Sequence, residues 1–251
     1  MRLVISNSYE RSARLVADEI AKVVQDNSRA LLGLATGSSP LAVYDYMLQD
    51  MQAGRIDYSA VQVMNLDEYV GLSPEHEQSY VYFMRQHLFN AAGVKPDQVI
   101  IPDGLADPVT EVKRLNDLAA ERTIDLQLLG IGSNGHVGFN EPQEVFHYGY
   151  HLVELTEQTR ADNARMFSCP DDVPTQAITM GVGDIMKART VILIATGENK
   201  REALKAMLEQ GEITPQRQCS VLKFHHDCRV FIDRKLAQGI VPGRHVEVLV
   251  D

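Results

Sequence analysis

Cysteine is scarce in this sequence. The 251 residues include only Cys169, Cys219 and Cys228. Their number is odd, and their spacing is not that of the paired cysteines that hold structural zinc. The thiols are therefore expected to be reduced, as in a cytoplasmic protein, and no metal site is predicted.

Long apolar stretches are also missing. No run approaches the roughly 20 residues that a helix needs to cross a membrane. Residues 1–6 form an apolar start that is too short for a signal peptide. The sequence therefore predicts a soluble, cytoplasmic protein without a membrane partner.

Positive charge is in the minority, with 24 Lys and Arg residues against 34 Asp and Glu residues and a formal net charge of -10. A nucleic-acid-binding protein would be expected to present a basic face, so no nucleic-acid partner is predicted. An anionic substrate would have to be held by a local group of cations and backbone N–H groups.

What the chain does have is a regular alternation of strand-like and helix-like segments. Apolar runs typical of strands fall at residues 3–5, 30–35, 61–66, 99–101, 124–131, 151–155, 190–195 and 229–232. Helical spacing of apolar residues occurs at 11–24, 40–51, 79–92, 109–122, 156–167 and 200–209. This alternation predicts an α/β fold with an open, largely parallel, Rossmann-like sheet and helices on both faces.

The length of the chain fits a single domain over residues 1–251. The least regular parts, residues 142–150 and 168–174, flank one predicted helix. The whole segment 142–174 is either an ordinary surface excursion or a mobile lid.

The strongest functional signal follows the apolar run 124–131. Residues 130–142 contain closely spaced glycines, with Asn134, His136 and Glu141 between and after them. Glycine allows a backbone to turn sharply or to approach a ligand closely. Because ligands of open α/β sheets bind at the carboxyl ends of strands, we interpret this segment as part of a site.

Two other strand ends have the features of anion sites. The first is Thr36-Gly37-Ser38-Ser39, which is followed by Pro40, a residue suited to the first turn of a helix. Hydroxyls and free N–H groups at such a turn can cradle a phosphate. The second is Lys200, which follows the run 190–195 and either points to solvent or faces an anion.

Two adjacent carboxylates, Asp67 and Glu68, end the run 61–66. Neighbouring side chains on an extended backbone point to opposite faces, so the two are expected to have different roles. Asp67 could cap a turn or act as a catalytic base.

Two segments of the chain resemble the signatures of the glucosamine-6-phosphate deaminase family. They are Asn-Leu-Asp-Glu-Tyr-Val-Gly-Leu at 65–72 and Gly-Phe-Asn-Glu-Pro at 138–142, the latter just after a Gly-His pair. Other matching segments fall in the same order, so the resemblance covers essentially the whole chain. The related 6-phosphogluconolactonases share the fold and the Gly-His pair but continue differently after it.

The resemblance implies a reaction and roles for four residues. Glucosamine 6-phosphate and water would become fructose 6-phosphate and ammonia, without metal or organic cofactor. Asp67 would remove the C2 proton, and His136 would open the sugar ring with support from Glu141 and Asn134. Some larger members have aspartate where this chain has Asn134, which can hydrogen-bond but supplies no charge.

The resemblance also implies how the sugar phosphate is held and how the chain assembles. The phosphate would lie against Thr36, Gly37, Ser38 and Ser39, with Arg165 and Lys200 supplying positive charge. A monomer is favoured, and a homo-oligomer stays open. The alternatives are a 6-phosphogluconolactonase-like hydrolase and a non-catalytic sugar-phosphate sensor.

Overall fold

The computed structural model describes residues 1–251 and contains eleven strands and nine α-helices. The strands are β1 Arg2–Ser6, β2 Leu31–Leu34, β3 Gln62–Asn65, β4 Asp67–Tyr69, β5 Val99–Ile100, β6 Leu126–Leu129, β7 His151–Glu154, β8 Gln176–Thr179, β9 Thr190–Ile194, β10 Cys228–Asp233 and β11 Glu247–Val250. The helices are α1 Tyr9–Asp26, α2 Leu41–Gln52, α3 Tyr80–Met84, α4 Asn90–Ala92, α5 Pro108–Ala120, α6 Glu157–Ala164, α7 Val182–Met186, α8 Arg201–Leu208 and α9 Arg234–Ala237. None of the helices combines the length and the apolar character needed to span a bilayer.

Helix α1 illustrates why the predicted helices form. The hydroxyl of Ser8 accepts a hydrogen bond of 3.2 Å from the backbone N–H of Arg11. This bond caps the helix by satisfying one of the N–H groups of the first turn that have no partner within the helix. Val16, Ile20 and Val24 recur at intervals of four residues and are all buried. This spacing places one apolar stripe along the helix and buries it against the sheet.

The main sheet has eight strands in the order β11-β1-β10-β9-β6-β2-β3-β5. Every neighbouring pair in it is parallel, which confirms the predicted α/β fold. The chain moves from β2 outward to β3 and β5, then returns to place β6 on the other side of β2. This reversal creates a crevice at the carboxyl ends of β2 and β6, where open α/β sheets bind ligands.

Both faces of the sheet are covered, as predicted. Along β9, Val191 and Leu193 belong to one buried cluster and Ile192 and Ile194 to the other, because successive side chains alternate between faces. The first cluster includes apolar residues of α5, α8 and α9, and the second includes those of α1 and α2. The sheet is therefore the central layer between two layers of helices.

A second, antiparallel sheet with the strand order β4-β8-β7 was not predicted. Strands β4 and β8 have three and four residues, too few to show a clear alternation of apolar and polar side chains. Its register pairs Asp67 with Thr179. This small sheet therefore fixes the position of one predicted catalytic carboxylate.

Candidate active site

The predicted site residues gather at one edge of the main sheet. The strands β9, β6, β2 and β3 are consecutive neighbours, and their carboxyl ends carry Lys200, residues 130–141, residues 36–39 and Asp67 respectively. Arg165 is the exception because it lies at the end of α6. Four separate segments of sequence therefore converge on the carboxyl edge of the sheet.

The loop after β6 brings three predicted residues into contact. Glu141 Oε2 accepts a hydrogen bond of 2.8 Å from Asn134 Nδ2 and lies 3.5 Å from His136 Nδ1. Asn134 Oδ1 in turn accepts a hydrogen bond of 3.0 Å from the backbone N–H of His136. The amide therefore links the histidine backbone to the carboxylate that supports the histidine ring.

The pKa of Glu141 reflects this pairing. Burial acts to raise the pKa, but the hydrogen bond and positive charge of His136 outweigh it, helped by Thr159 and Asn134, so that the pKa is lowered overall. Glu141 is therefore an anion at neutral pH. As an anion it can orient the imidazole and stabilise the imidazolium that forms when His136 accepts a proton.

Two glycines are required by the shape of this loop. A Cβ atom on Gly132 would lie 2.4 Å from His136 Nε2, so only glycine leaves room for the imidazole. Gly138 has a φ of +59°, and a Cβ there would lie 3.3 Å from Asp67 Oδ2. The first glycine seats His136, and the second lets the loop approach Asp67.

Asp67 is buried, with 6% of the residue exposed, and its carboxylate forms no hydrogen bond within the protein. Burial raises its pKa to about 8, and the neighbouring charge of Glu68 adds to the rise. A base is most effective when its pKa lies near the working pH. Asp67 is therefore suited to take up and return a proton at neutral pH.

Glu68 points away from this carboxylate, as the sequence predicts. Its two oxygens accept hydrogen bonds from three backbone N–H groups, those of Tyr69 at 2.8 Å, Tyr80 at 2.8 Å and Val81 at 3.0 Å. Two of these N–H groups belong to the first turn of α3. Glu68 thus ties α3 to the strand that carries Asp67.

This contact places an aromatic cluster beside Asp67. The ring of Tyr80 stacks on Phe139 at 5.8 Å and lies 5.0 Å from Tyr69. Burial raises the pKa of the Tyr80 hydroxyl well above its ordinary value, and the charge of Asp67 adds to this, whereas the Thr36 side chain opposes it. Tyr80 therefore stands between the base and the loop after β2.

The loop after β2 carries the residues predicted to cradle an anion, Thr36 to Ser39. Gly37 has a φ of +90°, a backbone conformation that glycine adopts without strain. The backbone carbonyl of Ser39 accepts a hydrogen bond of 2.7 Å from the Tyr9 hydroxyl. Tyr9 thereby holds the loop in place from the start of α1.

The two predicted cations, Lys200 and Arg165, lie close enough to each other for their charges to interact. Lys200 is half-buried, and Arg165 is exposed; neither forms an ion pair within the protein. Burial lowers the pKa of Lys200, the charge of Asp162 opposes this, and the charge of Arg165 adds to the lowering. Because β6 separates β9 from β2, two strand spacings of about 10 Å in total leave room for a phosphate between Lys200 and the cradle.

Four residues that contribute to the site have no role predicted from the sequence. They are Glu68, Tyr80, Thr159 and Thr179. Thr179 Oγ1 accepts a hydrogen bond of 3.0 Å from the backbone N–H of Phe139 and so connects β8 to the loop after β6. A single threonine or tyrosine carries no recognisable motif, and only the folded structure shows its contacts.

The geometry is suited to acid–base chemistry. One side of the crevice offers a buried carboxylate that has no hydrogen-bond partner, and the other offers a histidine supported by a carboxylate. No group of three or more His, Cys, Asp or Glu side chains is placed to hold a metal ion. Such a site belongs to the class that moves protons on a small phosphorylated substrate.

Comparison with known proteins defines the family. Residues 6–226 match the family described as glucosamine-6-phosphate isomerases/6-phosphogluconolactonase, and the chain belongs to this family. Solved structures agree on the fold: the 6-phosphogluconolactonase of Trypanosoma brucei is 16% identical and covers 96% of this chain and 98% of its own, with a TM-score of 0.73.

The more similar relatives are all deaminases and confirm the resemblance found in the sequence. Glucosamine-6-phosphate deaminase of Clostridium perfringens (strain 13 / Type A) is 44% identical over 243 residues, 95% of this chain and 99% of the relative. That of Thermoanaerobacter sp. (strain X514) is 42% identical over 255 residues, 100% of both. A solved monomeric glucosamine-6-phosphate deaminase is 38% identical, with a TM-score of 0.91, and covers 94% of this chain and 99% of its own.

Proposed function

We propose that this chain is a glucosamine-6-phosphate deaminase. The observation that carries the proposal is the presence, at one sheet edge, of a buried carboxylate with no partner and of a histidine paired with an anionic carboxylate. An aldose–ketose isomerisation of a cyclic sugar needs both, one for the C2 proton and one for the ring. The full-length relatives that are deaminases support the same conclusion.

Ring opening is the first step of the proposed mechanism. His136 takes the proton of the anomeric hydroxyl, the ring C–O bond breaks, and the ring oxygen takes up a proton. Neutral imidazole can do this near pH 7, since its ordinary pKa is about 6.5. Glu141 and Asn134 hold the ring in place and stabilise its charged form.

Enolisation and loss of ammonia follow. Asp67 removes the C2 proton, which the aldehyde has made acidic, and the product is an enolamine. Return of this proton to C1 gives an imine at C2. Water then adds to C2 and ammonia leaves, which yields fructose 6-phosphate. The raised pKa of Asp67 suits a group that both accepts and returns the proton.

The substrate is bound mainly through its phosphate group. We place it between residues 36–39 and the two cations Lys200 and Arg165, since hydrogen bonds from charged donors to phosphate are the stronger kind. A helix N-terminus adds its dipole at the start of α2. These local charges offset the negative net charge of the protein, which would repel a phosphate.

Segment 142–174 is proposed to act as a lid within a single domain of residues 1–251. It contains α6, which touches the site through a hydrogen bond of 2.8 Å from Asn163 to the Tyr69 hydroxyl and one of 2.9 Å from Ser133 to Asp162. Arg165, exposed at the end of α6, would reach the phosphate by a movement of this segment. We also propose a monomer, as in the solved deaminase; the cytoplasmic location and the lack of a nucleic-acid partner stay predictions.

The decisive experiment is a substrate comparison with the purified protein. Ammonia release is measured with glucosamine 6-phosphate and with unphosphorylated glucosamine, and lactone hydrolysis is measured with 6-phosphogluconolactone. We expect turnover of the amino-sugar phosphate alone. Lactone hydrolysis without ammonia release would make the protein a lactonase, and tight binding without any turnover would make it a sensor.

A further inference from the structure

Thr159, a residue with no role in the mechanism above, lies against the catalytic histidine. It belongs to α6 and is 2% exposed. Its Oγ1 lies 3.4 Å from His136 Nδ1, about as close as Glu141 Oε2, at 3.5 Å from the same nitrogen. Two oxygens of different chemistry therefore face one edge of the imidazole.

The other edge of the ring is free. His136 Nε2 has no hydrogen bond within the protein and lies over Gly132, where a Cβ atom would be 2.4 Å away. In neutral imidazole one nitrogen carries the proton and the other accepts. Nε2 can accept the anomeric proton only if the hydrogen of the neutral ring is on Nδ1.

We propose that Thr159 is a positioning residue that, together with Glu141, keeps the imidazole hydrogen of His136 on Nδ1 and so leaves Nε2 free as the ring-opening base. The inference rests on the proposed function, because it assigns Thr159 to the ring-opening step of that reaction. The residue acts through His136 and does not itself touch the sugar.

The surroundings of Thr159 fix the direction of its hydrogen bonds. Its Oγ1 accepts a hydrogen bond of 3.2 Å from the hydroxyl of Thr156, the N-cap residue of α6. A hydroxyl has two acceptor positions and one hydrogen. With one position filled by Thr156, the second can accept from His136 Nδ1–H, and the hydrogen of Thr159 is free for the carboxylate of Glu141.

The acidity of Glu141 agrees with this arrangement. The Thr159 hydroxyl is among the neighbouring groups that, after His136, lower the pKa of Glu141 against the effect of burial. If Thr159 instead gave its hydrogen to His136 Nδ1, the ring would carry its proton on Nε2 and could act only as an acid. The long distances are of the kind that tighten when a substrate binds.

Two substitutions separate the hydroxyl from the packing of Thr159. T159V keeps the shape and removes the hydroxyl, whereas T159S keeps the hydroxyl and removes the methyl group. We expect kcat for ammonia release from glucosamine 6-phosphate to fall about tenfold in T159V, the equivalent of one net hydrogen bond, and to stay near wild type in T159S. KM should change less than about twofold in both, because the phosphate contacts are untouched. The exposed T123V serves as a matched control.

A kcat that is normal in T159V, or that falls equally in T159V and T159S, would overturn the proposal. Nitrogen-15 NMR of labelled histidine in the wild-type protein gives a second test that needs no variant. The His136 signals should show the hydrogen on Nδ1 in the neutral ring, and T159V should show a mixture of both tautomers. A wild-type ring with its hydrogen on Nε2 would disprove the inference even if the protein deaminates the sugar. A wild type without ammonia release would disprove the proposed function and the ring-opening role of Nε2 with it, whereas the position of the hydrogen on Nδ1 would still be decided by the NMR signals.

Discussion

Asp67, in strand β4 of the small sheet, and Glu141, in the loop after β6, are both buried acidic residues, 6% and 3% exposed. Their pKa values nevertheless move in opposite directions. Burial raises the pKa of Asp67 to about 8, and Glu68 adds to the rise. For Glu141 the same effect of burial is outweighed by the hydrogen bond and charge of His136, so its pKa falls.

The difference shows that the partner of a buried carboxyl group, more than its depth, decides what it does. A group without a partner is costly to ionise, so it exchanges protons near neutral pH and can serve as a base. A group beside an imidazole stays ionised and serves as a fixed negative charge. Asp67 is therefore suited to proton transfer at C2, whereas Glu141 is suited to supporting ring opening.

The largest effect is expected when the unpaired carboxyl group is removed. D67N should lower kcat for ammonia release by a factor on the order of 100 or more, because the amide cannot accept the C2 proton. Deuterium exchange at C2 should stop as well, while interconversion of the sugar anomers, which needs only ring opening, should continue. Both are measured by proton NMR.

The exposed D97N is the control for this change, since it removes the same charge far from the site. If D67N still exchanges the C2 proton at the wild-type rate, another group is the base and the division between the two carboxyl groups is wrong.

Removal of the paired carboxylate should have a smaller effect at a different step. E141Q should lower kcat roughly 10- to 100-fold, the range for a lost hydrogen bond between charged groups. Anomer interconversion should slow in parallel with ammonia release, in contrast to D67N. The same NMR assay decides this, with the exposed E121Q as control, and a variant that keeps fast interconversion would remove Glu141 from ring opening.

Glu68 offers a way to sharpen the comparison, because it affects Asp67 without contacting the substrate. E68Q replaces a carboxylate that accepts three backbone hydrogen bonds with a side chain that has one acceptor oxygen. We expect about a tenfold loss in kcat/KM and a loss of about 1–3 kcal/mol in unfolding free energy. The acid limb of the kcat/KM profile should move to lower pH, because a neighbouring negative charge is gone.

Urea unfolding and a pH–rate profile test both parts, with the exposed E77Q as the control. An acid limb that does not move would mean that Glu68 has no electrostatic influence on the base and acts only through α3.

The parallel sheet and its loops could be predicted because their signals are local. Apolar runs such as residues 190–195 become buried strands wherever helices cover both faces, and glycine-rich turns follow them. The small sheet could not be predicted in this way. Strand β8 is short, and its pairing with β4 joins residues more than 100 positions apart in the sequence.

The residues of the site also differ in whether a local sequence signal reveals them. His136, Glu141 and Asp67 stand in motifs at strand ends, so the amino-acid sequence by itself points to them. Glu68 lies in the signature segment 65–72, but its role, like that of Thr159, comes from contacts with α3 and His136 that only the fold creates. The sequence alone does not reveal a role that depends on such contacts.

The smallest effect is expected on the pH dependence of the unfolding free energy. This measurement compares the two carboxyl groups directly. Because the folded-state pKa of Asp67 is raised, the native protein binds more protons than the unfolded chain between pH 3.8 and about 8. Stability therefore falls as pH rises through this window, and D67N, which never ionises, escapes the loss. Its unfolding free energy should exceed that of wild type by about 1–3 kcal/mol at pH 9, the cost of an unsatisfied buried group, and the excess should shrink toward pH 5.

E141Q should show the opposite sign. The pKa of Glu141 is lowered from its ordinary value of 4.5, so its ionised form adds stability above that value and loses it as the pH falls through the folded-state pKa. The variant should be less stable than wild type at pH 7, and the deficit should disappear in acid. Urea titrations of both variants from about pH 2 to pH 9 give the two differences against the same wild-type curve, which cancels the titrating groups that do not interact with the substituted residue. Curves that shift in the same direction would show that depth alone governs these carboxyl groups and that His136 does not distinguish them.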